Sequence, residues 1–269
     1  MLDTWEQRVR RDGITVTKLS FPVPPRQDDL LQRFERVITP ATRVIHFCHI
    51  TNLTGHIFPV REICDIARAR GIRTIVDGAH AFAHFPFKVS DLGCDYYGTS
   101  LHKWLLAPIG TGFLYVRRDL IEPLWPLTPA AASKKDDIRK FEEIGTHPAA
   151  NHNAIAEALA FHRGIGSDRK LARLRYLRDR WATRLRQHPR MKLHTDLAPG
   201  ASGAIGTIQI EGLPTAAVVD RLWNRWRVIA TPIVRPDYEG LRVTPSVYTT
   251  IEEVDTFADA MEELATKGV

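Results

Sequence analysis

The sequence predicts an α/β protein with a mostly parallel sheet covered by helices on both faces, followed by a smaller α+β domain. Three observations lead to this prediction. Short apolar segments alternate with helical patterns in the first half, a wholly helical stretch follows, and strands and helices mix again near the end. Strand–helix alternation is typical of parallel sheets with helices on both sides. We therefore expect a large domain over residues 1–147, long connecting helices over 148–190, and a small domain over 191–269.

Five segments of the first half are predicted to be strands because they are short, apolar and rich in Val, Ile and Tyr. These segments are 14–19, 43–50, 73–78, 95–100 and 111–116. Two amphipathic patterns between them predict helices over 28–38 and 59–71. Pro59 and Gly71 are the residue types expected at the beginning and end of the second helix.

The second half opens with a helical pattern over 148–188, which is interrupted at Gly164–Gly166. Strands and helices then alternate irregularly, as expected of a small α+β domain. We predict a strand over 205–210, a helix over 215–226, strands over 228–234 and 241–248, and a closing helix. Thr250 and Glu253 have the spacing of a capping box and therefore mark the beginning of the closing helix.

The composition is that of an ordinary globular protein. Of 269 residues, 44% are hydrophobic and 25% are charged, which excludes the disordered and fibrous classes. No apolar run approaches the roughly 18 residues that span a bilayer, and the first residues lack the apolar core of a signal peptide. We therefore expect no membrane association and a cytoplasmic protein.

The three cysteines, Cys48, Cys64 and Cys94, lack the spacing of a metal site and lie inside apolar segments. This pattern predicts buried free thiols in a reducing compartment and no bound metal.

The chain is basic, with a formal net charge of +6. The basic residues concentrate in 163–190, where apolar positions recur at helical spacing. This arrangement favours a solvated helix face over a nucleic-acid surface. Because no nucleic-acid-binding motif is present, we expect no nucleic-acid partner.

Polar side chains follow three of the predicted strands at the point where each strand ends. They are Asn52, Asp77 and the run Ser100–Lys103. Since ligands of parallel sheets bind at the carboxyl ends of the strands, these groups could share one site.

The residue types at these positions suit one kind of chemistry. In apolar surroundings the pKa of Lys103 would fall, which favours the neutral amine that forms an imine. A buried Asp77 would be costly without a positive partner such as a protonated pyridine nitrogen. Ser100 and His102 suit an anionic oxygen, and Asn52 suits a phenolate. A lysine imine with an aspartate for the ring nitrogen is the signature of a pyridoxal phosphate site.

The segments VDGAHA (76–81) and TSLHKWLLAPIGTGFLYV (99–116) resemble the class V aminotransferase superfamily, which consists of fold type I pyridoxal phosphate enzymes. HKW and GTGFLYVRR are similar to its isopenicillin N epimerase-like branch. Matching segments at 49–63, 141–148 and 241–257 extend the resemblance over nearly the whole chain. The resemblance implies pyridoxal 5'-phosphate as cofactor, a homodimer, and a small amino-acid-like carboxylate as substrate.

The resemblance implies catalytic roles for Lys103, Asp77 and His80. Lys103 would form the internal aldimine and move protons. Asp77 would keep the ring nitrogen of the cofactor protonated. His80 would lie beside the ring and Lys103.

Further residues correspond to the binding positions of the family. Asn52 would contact the ring hydroxyl, and Ser100 and His102 would hold the phosphate. Thr146 matches a segment that reaches a phosphate across a dimer interface. Arg242 matches the arginine that binds the substrate carboxylate, for which a planar guanidinium is well suited.

Each residue also has an ordinary structural explanation when it is taken alone. Asp77 could cap a helix, His80 could be a hydrogen-bonded core histidine, and the Lys103 amine could reach solvent. Thr146 could cap the following helix, and Arg242 could be a charge on an edge strand. Their joint occurrence at this spacing favours the site.

The sequence departs from the family pattern in two places. The phosphate loop and the ring-stacking residue of the family have no counterpart here, since residues 1–6 match a point just beyond them, so the resemblance implies a shortened chain. Residues 230–242 lack the cysteine that desulfurases of this class carry. This absence disfavours persulfide chemistry.

The leading hypothesis is therefore an enzyme that acts at the α-carbon of an amino acid or a similar substrate, as an epimerase, aminotransferase or lyase. The alternative is a non-catalytic, shortened relative that keeps the scaffold and binds a partner through an uncovered sheet edge.

Overall fold

The chain is built around two β-sheets, one in each half of the sequence. A computed structural model describes residues 2–269, without the side chains of Gln27 and Asp28. The helices are α1 (Leu2–Asp12), α2 (Gln27–Val37), α3 (Val60–Arg68), α4 (Val89–Leu92), α5 (Ala149–Asn153), α6 (Ile155–Ile165), α7 (Ser167–Leu185), α8 (Thr215–Arg221) and α9 (Ile251–Lys267). The strands are β1 (Val44–Cys48), β2 (Arg73–Asp77), β3 (Tyr96–Ser100), β4 (Gly112–Val116), β5 (Met191–Leu193), β6 (Gly206–Ile210), β7 (Thr231–Val234) and β8 (Glu239–Val243).

The first sheet has the strand order β1-β2-β3-β4. β1 pairs with β2, and β2 with β3, in parallel, whereas β4 runs antiparallel to β3. The predicted mostly parallel sheet is thus confirmed. In its register Cys48 lies beside Asp77, and Asp77 beside Gly98, so the carboxyl ends of the three parallel strands are level.

The predicted strand over 14–19 is wrong. Within the described residues this segment lies outside both sheets. Its side chains do alternate, with Ile14 and Val16 half-buried and their neighbours exposed. An extended segment that lies against the protein surface has the same period of two as a strand, so alternation alone did not identify a pairing partner.

The two faces of the first sheet are covered to different extents. Ile45, Phe47 and Val76 are buried together with Leu30 of α2 and Ile63 of α3. Successive strand residues point to opposite faces, so the residues between them face the other side.

On that second face His46, Cys48, Ile75 and Asp77 are only half-buried. Trp5 of α1 reaches this face, where its Nε1 donates a 2.8 Å hydrogen bond to His46 Nδ1. α1 itself has no buried residue. The sheet is therefore open enough on this face to border a cleft.

The second sheet is antiparallel, with the order β5-β6-β8-β7. Its core includes Trp181 of α7, Ile208 of β6 and Phe257 of α9, all buried. The capping box of α9 is confirmed, since Glu253 N–H donates to Thr250 Oγ1 at 3.2 Å and Thr250 N–H donates to Glu253 Oε2 at 2.8 Å.

The predicted bounds in this domain need correction at three places. β7 begins at Thr231 rather than at 228, and β8 covers Glu239–Val243 rather than 241–248. α8 ends at Arg221 and continues as one π-helical turn over Leu222–Trp226. The predicted segments are longer than the observed elements because apolar side chains just outside a strand or helix also pack on the core.

The long helical region consists of α5, α6 and α7, with the break before α7 at Gly166, whose φ is +84°. Part of the basic face of α7 is not simply solvated. Arg180 pairs with Asp255, and Arg184 pairs with Asp259 and Glu262 of α9. The basic stretch and the acidic face of α9 thus neutralise one another in part.

The three cysteines are free thiols. Cys64 and Cys94 are buried as predicted, but Cys48 is half-buried, because it lies on the more open face of the first sheet. Within residues 2–269, none of the helices has both the length and the apolarity needed to cross a bilayer.

A buried carboxylate stabilises the amino end of the first sheet, and its removal is testable. Asp95 Oδ2 accepts a 2.8 Å hydrogen bond from Thr74 N–H, and Oδ1 pairs with Arg117. We expect Asp95→Ala to lower the free energy of unfolding by about 2–4 kcal/mol, because a buried N–H loses its acceptor.

Asp119→Ala is the matched control. Asp119 also pairs with Arg117, but its side chain is 62% exposed, so its loss should lower the free energy of unfolding far less than the loss of Asp95. Urea unfolding measures both variants. Equal losses in the two variants would contradict the assigned role of Asp95.

Candidate active site

A cleft lies at the carboxyl ends of the parallel strands and has a volume of about 210 Å³. The residues that line it are Cys48, Ile50, Asn52, Asp77, Ala79, His80 and Lys103. Four of these, Asn52, Asp77, His80 and Lys103, are site residues predicted from the sequence. The level strand ends explain why they meet, because the chain leaves β1, β2 and β3 at this same edge.

Asp77 is the last residue of β2 and is fixed by its own backbone turn. Its Oδ1 accepts a 2.9 Å hydrogen bond from Ala79 N–H. A side chain that bonds the backbone two residues further on is a common feature of Asp. The bond holds the carboxylate at the cleft. Burial raises the pKa of the Cys48 thiol and the charge of Asp77 adds to this rise, whereas burial lowers the pKa of the Lys103 amine and the charge of Asp77 opposes this fall.

Lys103 lies across the cleft region from the strand ends, in the turn after β3. Partial burial lowers the pKa of its amine, and the positive charge of Arg242 acts in the same direction, whereas Asp77 opposes them. The Nζ lies 3.3 Å from Nε2 of His80. The amine is thus more easily deprotonated than that of an exposed lysine.

His80 is a neutral imidazole between Lys103 and an aromatic ring. Burial lowers its pKa to about 3, and the charges of Lys103 and Arg242 contribute in the same direction. Its Nδ1 accepts a 3.3 Å hydrogen bond from the indole Nε1–H of Trp104. No role of Trp104 was predicted from the sequence, although its position directly after Lys103 pointed to one.

A second histidine, His84, supports this arrangement and was also missed. It is fully buried. Its Nδ1–H donates a 2.8 Å hydrogen bond to the carbonyl of His80, and its Nε2 accepts one of 2.7 Å from Ala204 N–H. Its ring stacks on Trp104 with centroids 3.8 Å apart. A Cβ at Gly203 would lie 2.5 Å from this ring, so the close approach requires glycine.

Arg242 comes to the rim of the cleft from the second sheet. Its Nη1 donates a 3.0 Å hydrogen bond to the backbone carbonyl of Asn52, and its Nη2 one of 3.3 Å to Thr231 Oγ1. Among the described residues its buried Nε has no partner. The guanidinium therefore adds a positive charge at the rim of the cleft, which makes this rim suitable for an anionic group.

The remaining predicted residues lie outside the cleft lining. Ser100 ends β3 and His102 follows it; both are half-buried. Nδ1 of His102 is buried and has no partner among the described residues. Thr146 is exposed in the segment before α5. The contacts of these three residues with a phosphate, and of Thr146 with a second chain, remain predictions.

Comparison with known proteins agrees with this geometry. The model of the family "Aminotransferase class-V" matches residues 1–231. Isopenicillin N epimerase of Amycolatopsis lactamdurans is 33% identical over 97% of this chain and 70% of the relative. The epimerase of Streptomyces clavuligerus is 34% identical over the same shares.

Solved structures share the fold. A variant of the protein C-DES, described with glycine covalently linked to its pyridoxal phosphate cofactor, superposes with a TM-score of 0.82 at 22% identity. The superposition covers 98% of this chain and 71% of that one. The predicted fold type I architecture is thereby confirmed.

Buried neutral histidines predict how stability depends on pH. Burial lowers the pKa of His49 to about 4 and the pKa values of His80 and His84 to about 3, from 6.5. Below about pH 6.5 the unfolded chain therefore binds more protons than the folded chain. We expect the free energy of unfolding to fall as the pH is lowered from 6.5 towards 5, by up to about 1.4 kcal/mol per pH unit for each histidine.

Urea unfolding at a series of pH values measures this slope. His84→Gln should reduce the slope by about one proton relative to the unsubstituted chain, because one of the three rings is removed. A free energy of unfolding that stays constant between pH 7.5 and 5 would contradict the neutral burial of these rings.

Proposed function

This chain belongs to the class V aminotransferase family of pyridoxal phosphate enzymes, and from this premise we propose that it acts at the α-carbon of an amino acid or an amino-acid-like carboxylate. Lys103 binds the cofactor through Nζ, and Asp77 is the partner of its ring nitrogen. The observation that carries the proposal is that these two side chains line the same cleft. The two relatives named isopenicillin N epimerase favour epimerisation as the reaction type.

The residues present fit pyridoxal phosphate. The carboxylate of Asp77 suits a protonated pyridine nitrogen, and the amine of Lys103, with its lowered pKa, suits the aldehyde. Asn52 is available for the ring hydroxyl. The buried Nδ1 of His102, which has no partner within the described part of the chain, suits a phosphate oxygen together with Ser100.

When bound, pyridoxal phosphate supplies an electron sink that stabilises negative charge on the substrate α-carbon. The chain supplies the rest. Once the substrate amine had taken its place on the cofactor, the freed Lys103 Nζ would remove or return the proton at that carbon. Asp77 would keep the ring nitrogen charged, and the guanidinium of Arg242 would bind the substrate carboxylate. Epimerisation additionally needs a proton donor on the opposite side of the α-carbon.

Cys48 raises the question of a cysteine nucleophile, because its thiol lines the cleft. Burial and the charge of Asp77 raise its pKa to about 12. Since only the thiolate is nucleophilic, Cys48 is a poor sulfur acceptor at neutral pH. We therefore propose that persulfide chemistry of the desulfurase type is not the activity of this site.

Binding of the cofactor to Lys103 is testable by absorbance. Addition of pyridoxal phosphate to the purified chain should give an absorbance band near the edge of the visible violet range. Lys103→Ala should abolish the band, because the amine that forms the imine is lost. Lys192→Ala, which removes an exposed lysine of β5, is the control and should keep the band.

If pyridoxal phosphate gives no new band in either the unsubstituted chain or the Lys192→Ala control, the proposal is wrong and a non-catalytic relative is favoured. A band that survives in Lys103→Ala would assign the cofactor to another lysine.

We also propose that the chain forms a homodimer through the segment before α5. Trp125 is 90% exposed and Leu127 is fully exposed. Large apolar side chains exposed in one segment mark an interaction surface. Thr146 is exposed near the end of this segment, where it could reach a second chain.

Sedimentation analysis should therefore give twice the chain mass of 30.5 kDa. The double substitution Trp125→Ser, Leu127→Ser should shift the protein towards the monomer. Ile229→Ser removes an apolar side chain elsewhere that is 82% exposed, and it should leave the mass unchanged. A monomeric unsubstituted chain would refute the dimer.

A further inference from the structure

The indole of Trp104 restricts the protonation of its neighbours. An indole N–H can only donate a hydrogen bond, and here it points at Nδ1 of His80 at 3.3 Å. Nδ1 must therefore carry a lone pair. A neutral imidazole has one protonated and one unprotonated nitrogen, so the hydrogen of His80 is on Nε2.

The Nε2–H of His80 in turn faces Lys103. The two nitrogens are 3.3 Å apart, and an N–H on one side of this contact requires an acceptor on the other. An ammonium group has no lone pair, whereas a neutral amine has one. The contact is consequently a hydrogen bond only when Lys103 is unprotonated, and two N–H groups face each other when it is protonated.

We propose that Trp104 is a positioning residue: its indole N–H fixes the Nε2–H tautomer of His80, and this tautomer favours the unprotonated amine of Lys103. The consequence for catalysis rests on the function proposed above, since the unprotonated amine is the form that binds an aldehyde and accepts a proton.

The charged groups around Lys103 have opposing effects on the protonation of its amine. Asp77 on β2 favours the ammonium form, while Arg242 on β8 and partial burial favour the amine; Cys48 on β1 is a further, weaker influence towards the ammonium form. His80 itself is neutral, because burial and the charges of Lys103 and Arg242 lower its pKa to about 3. The direction of the His80 N–H is therefore an additional and independent influence on the amine.

The indole cannot easily turn away from His80. Its ring stacks on the fully buried ring of His84, with an interplanar angle of 28°. The backbone carbonyl of Trp104 accepts a hydrogen bond from the buried Lys170. His84 also bonds the carbonyl of His80, so one imidazole fixes both the donor ring and the backbone of its acceptor.

If Trp104 served only to pack the core, removing its N–H while keeping an aromatic ring would not change His80 or Lys103. Phenylalanine would fill much of the same space and would stack on His84, but it has no N–H. Trp104→Phe therefore separates packing from the hydrogen bond. Trp181→Phe is the matched control, because Trp181 is fully buried and its Nε1 has no partner within residues 2–269.

The test uses the full 269-residue chain without added cofactor. Nitrogen-15 spectra of histidine-labelled protein report the tautomer of His80, with His80→Gln used to assign its signals. Competitive labelling with a small amine-reactive reagent over a range of pH reports the pKa of Lys103 when the label on this residue is quantified by mass spectrometry.

In the unsubstituted chain we expect a pyrrole-type Nε2 and a pyridine-type Nδ1. Trp104→Phe should mix the two tautomers and raise the pKa of Lys103 by about one unit, which is about a tenfold loss of unprotonated amine at neutral pH. Trp181→Phe should change neither quantity.

An Nδ1–H tautomer in the unsubstituted chain overturns the proposal, even if Trp104→Phe fails to fold. Unchanged tautomer and pKa in a folded Trp104→Phe variant overturn it as well. Since both readouts need no cofactor, failure of the proposed function is seen separately: a chain with the expected tautomer and Trp104-dependent pKa that does not bind pyridoxal phosphate contradicts only that function.

Discussion

The hydrogen bonds of His84 connect the parts of the molecule that form the candidate cleft. One nitrogen of this buried ring bonds the backbone of His80, and the other bonds Ala204, just before β6 of the second sheet. Both bonds require the neutral ring, with its hydrogen on Nδ1. The ring also stacks on Trp104. The turn after β2, the turn after β3 and the second domain are thus held together by one uncharged side chain, and the cleft keeps its shape only while that side chain stays neutral.

The charges of the cleft follow from the register of the parallel strands. Level strand ends bring the Asp77 carboxylate and the Lys103 amine to the same edge, while β8 contributes Arg242 through its bond to the Asn52 carbonyl. The positive charge of Arg242 attracts an anionic group to the rim of the cleft, while partial burial lowers the pKa of the Lys103 amine. A site for a phosphorylated cofactor and a carboxylate substrate needs both properties, and neither sheet supplies them alone.

Much of this arrangement was predictable from local sequence. Short apolar runs predicted the strands of the first sheet, and the capping box predicted the beginning of α9. The polar residues at the strand ends predicted that Asp77 and Lys103 line one cleft. The period of two misled at residues 14–19, because it does not distinguish a paired strand from an extended surface segment. The hydrogen bond between Trp104 and His80 could not be predicted from the sequence, because it depends on side-chain orientations that the surrounding core determines.

We propose that Lys103 and Asp77 serve one cofactor ring, and chemical trapping can locate that ring on the chain. The chain is incubated with pyridoxal phosphate, reduced with borohydride, and mapped by peptide mass spectrometry. Exposed lysines such as Lys192 of β5 are the internal reference, because their amines are accessible to the same reagents. We expect the pyridoxyl group on Lys103 alone, at a lower yield in Asp77→Asn. Label on Lys170, or spread over the exposed lysines, would contradict this expectation.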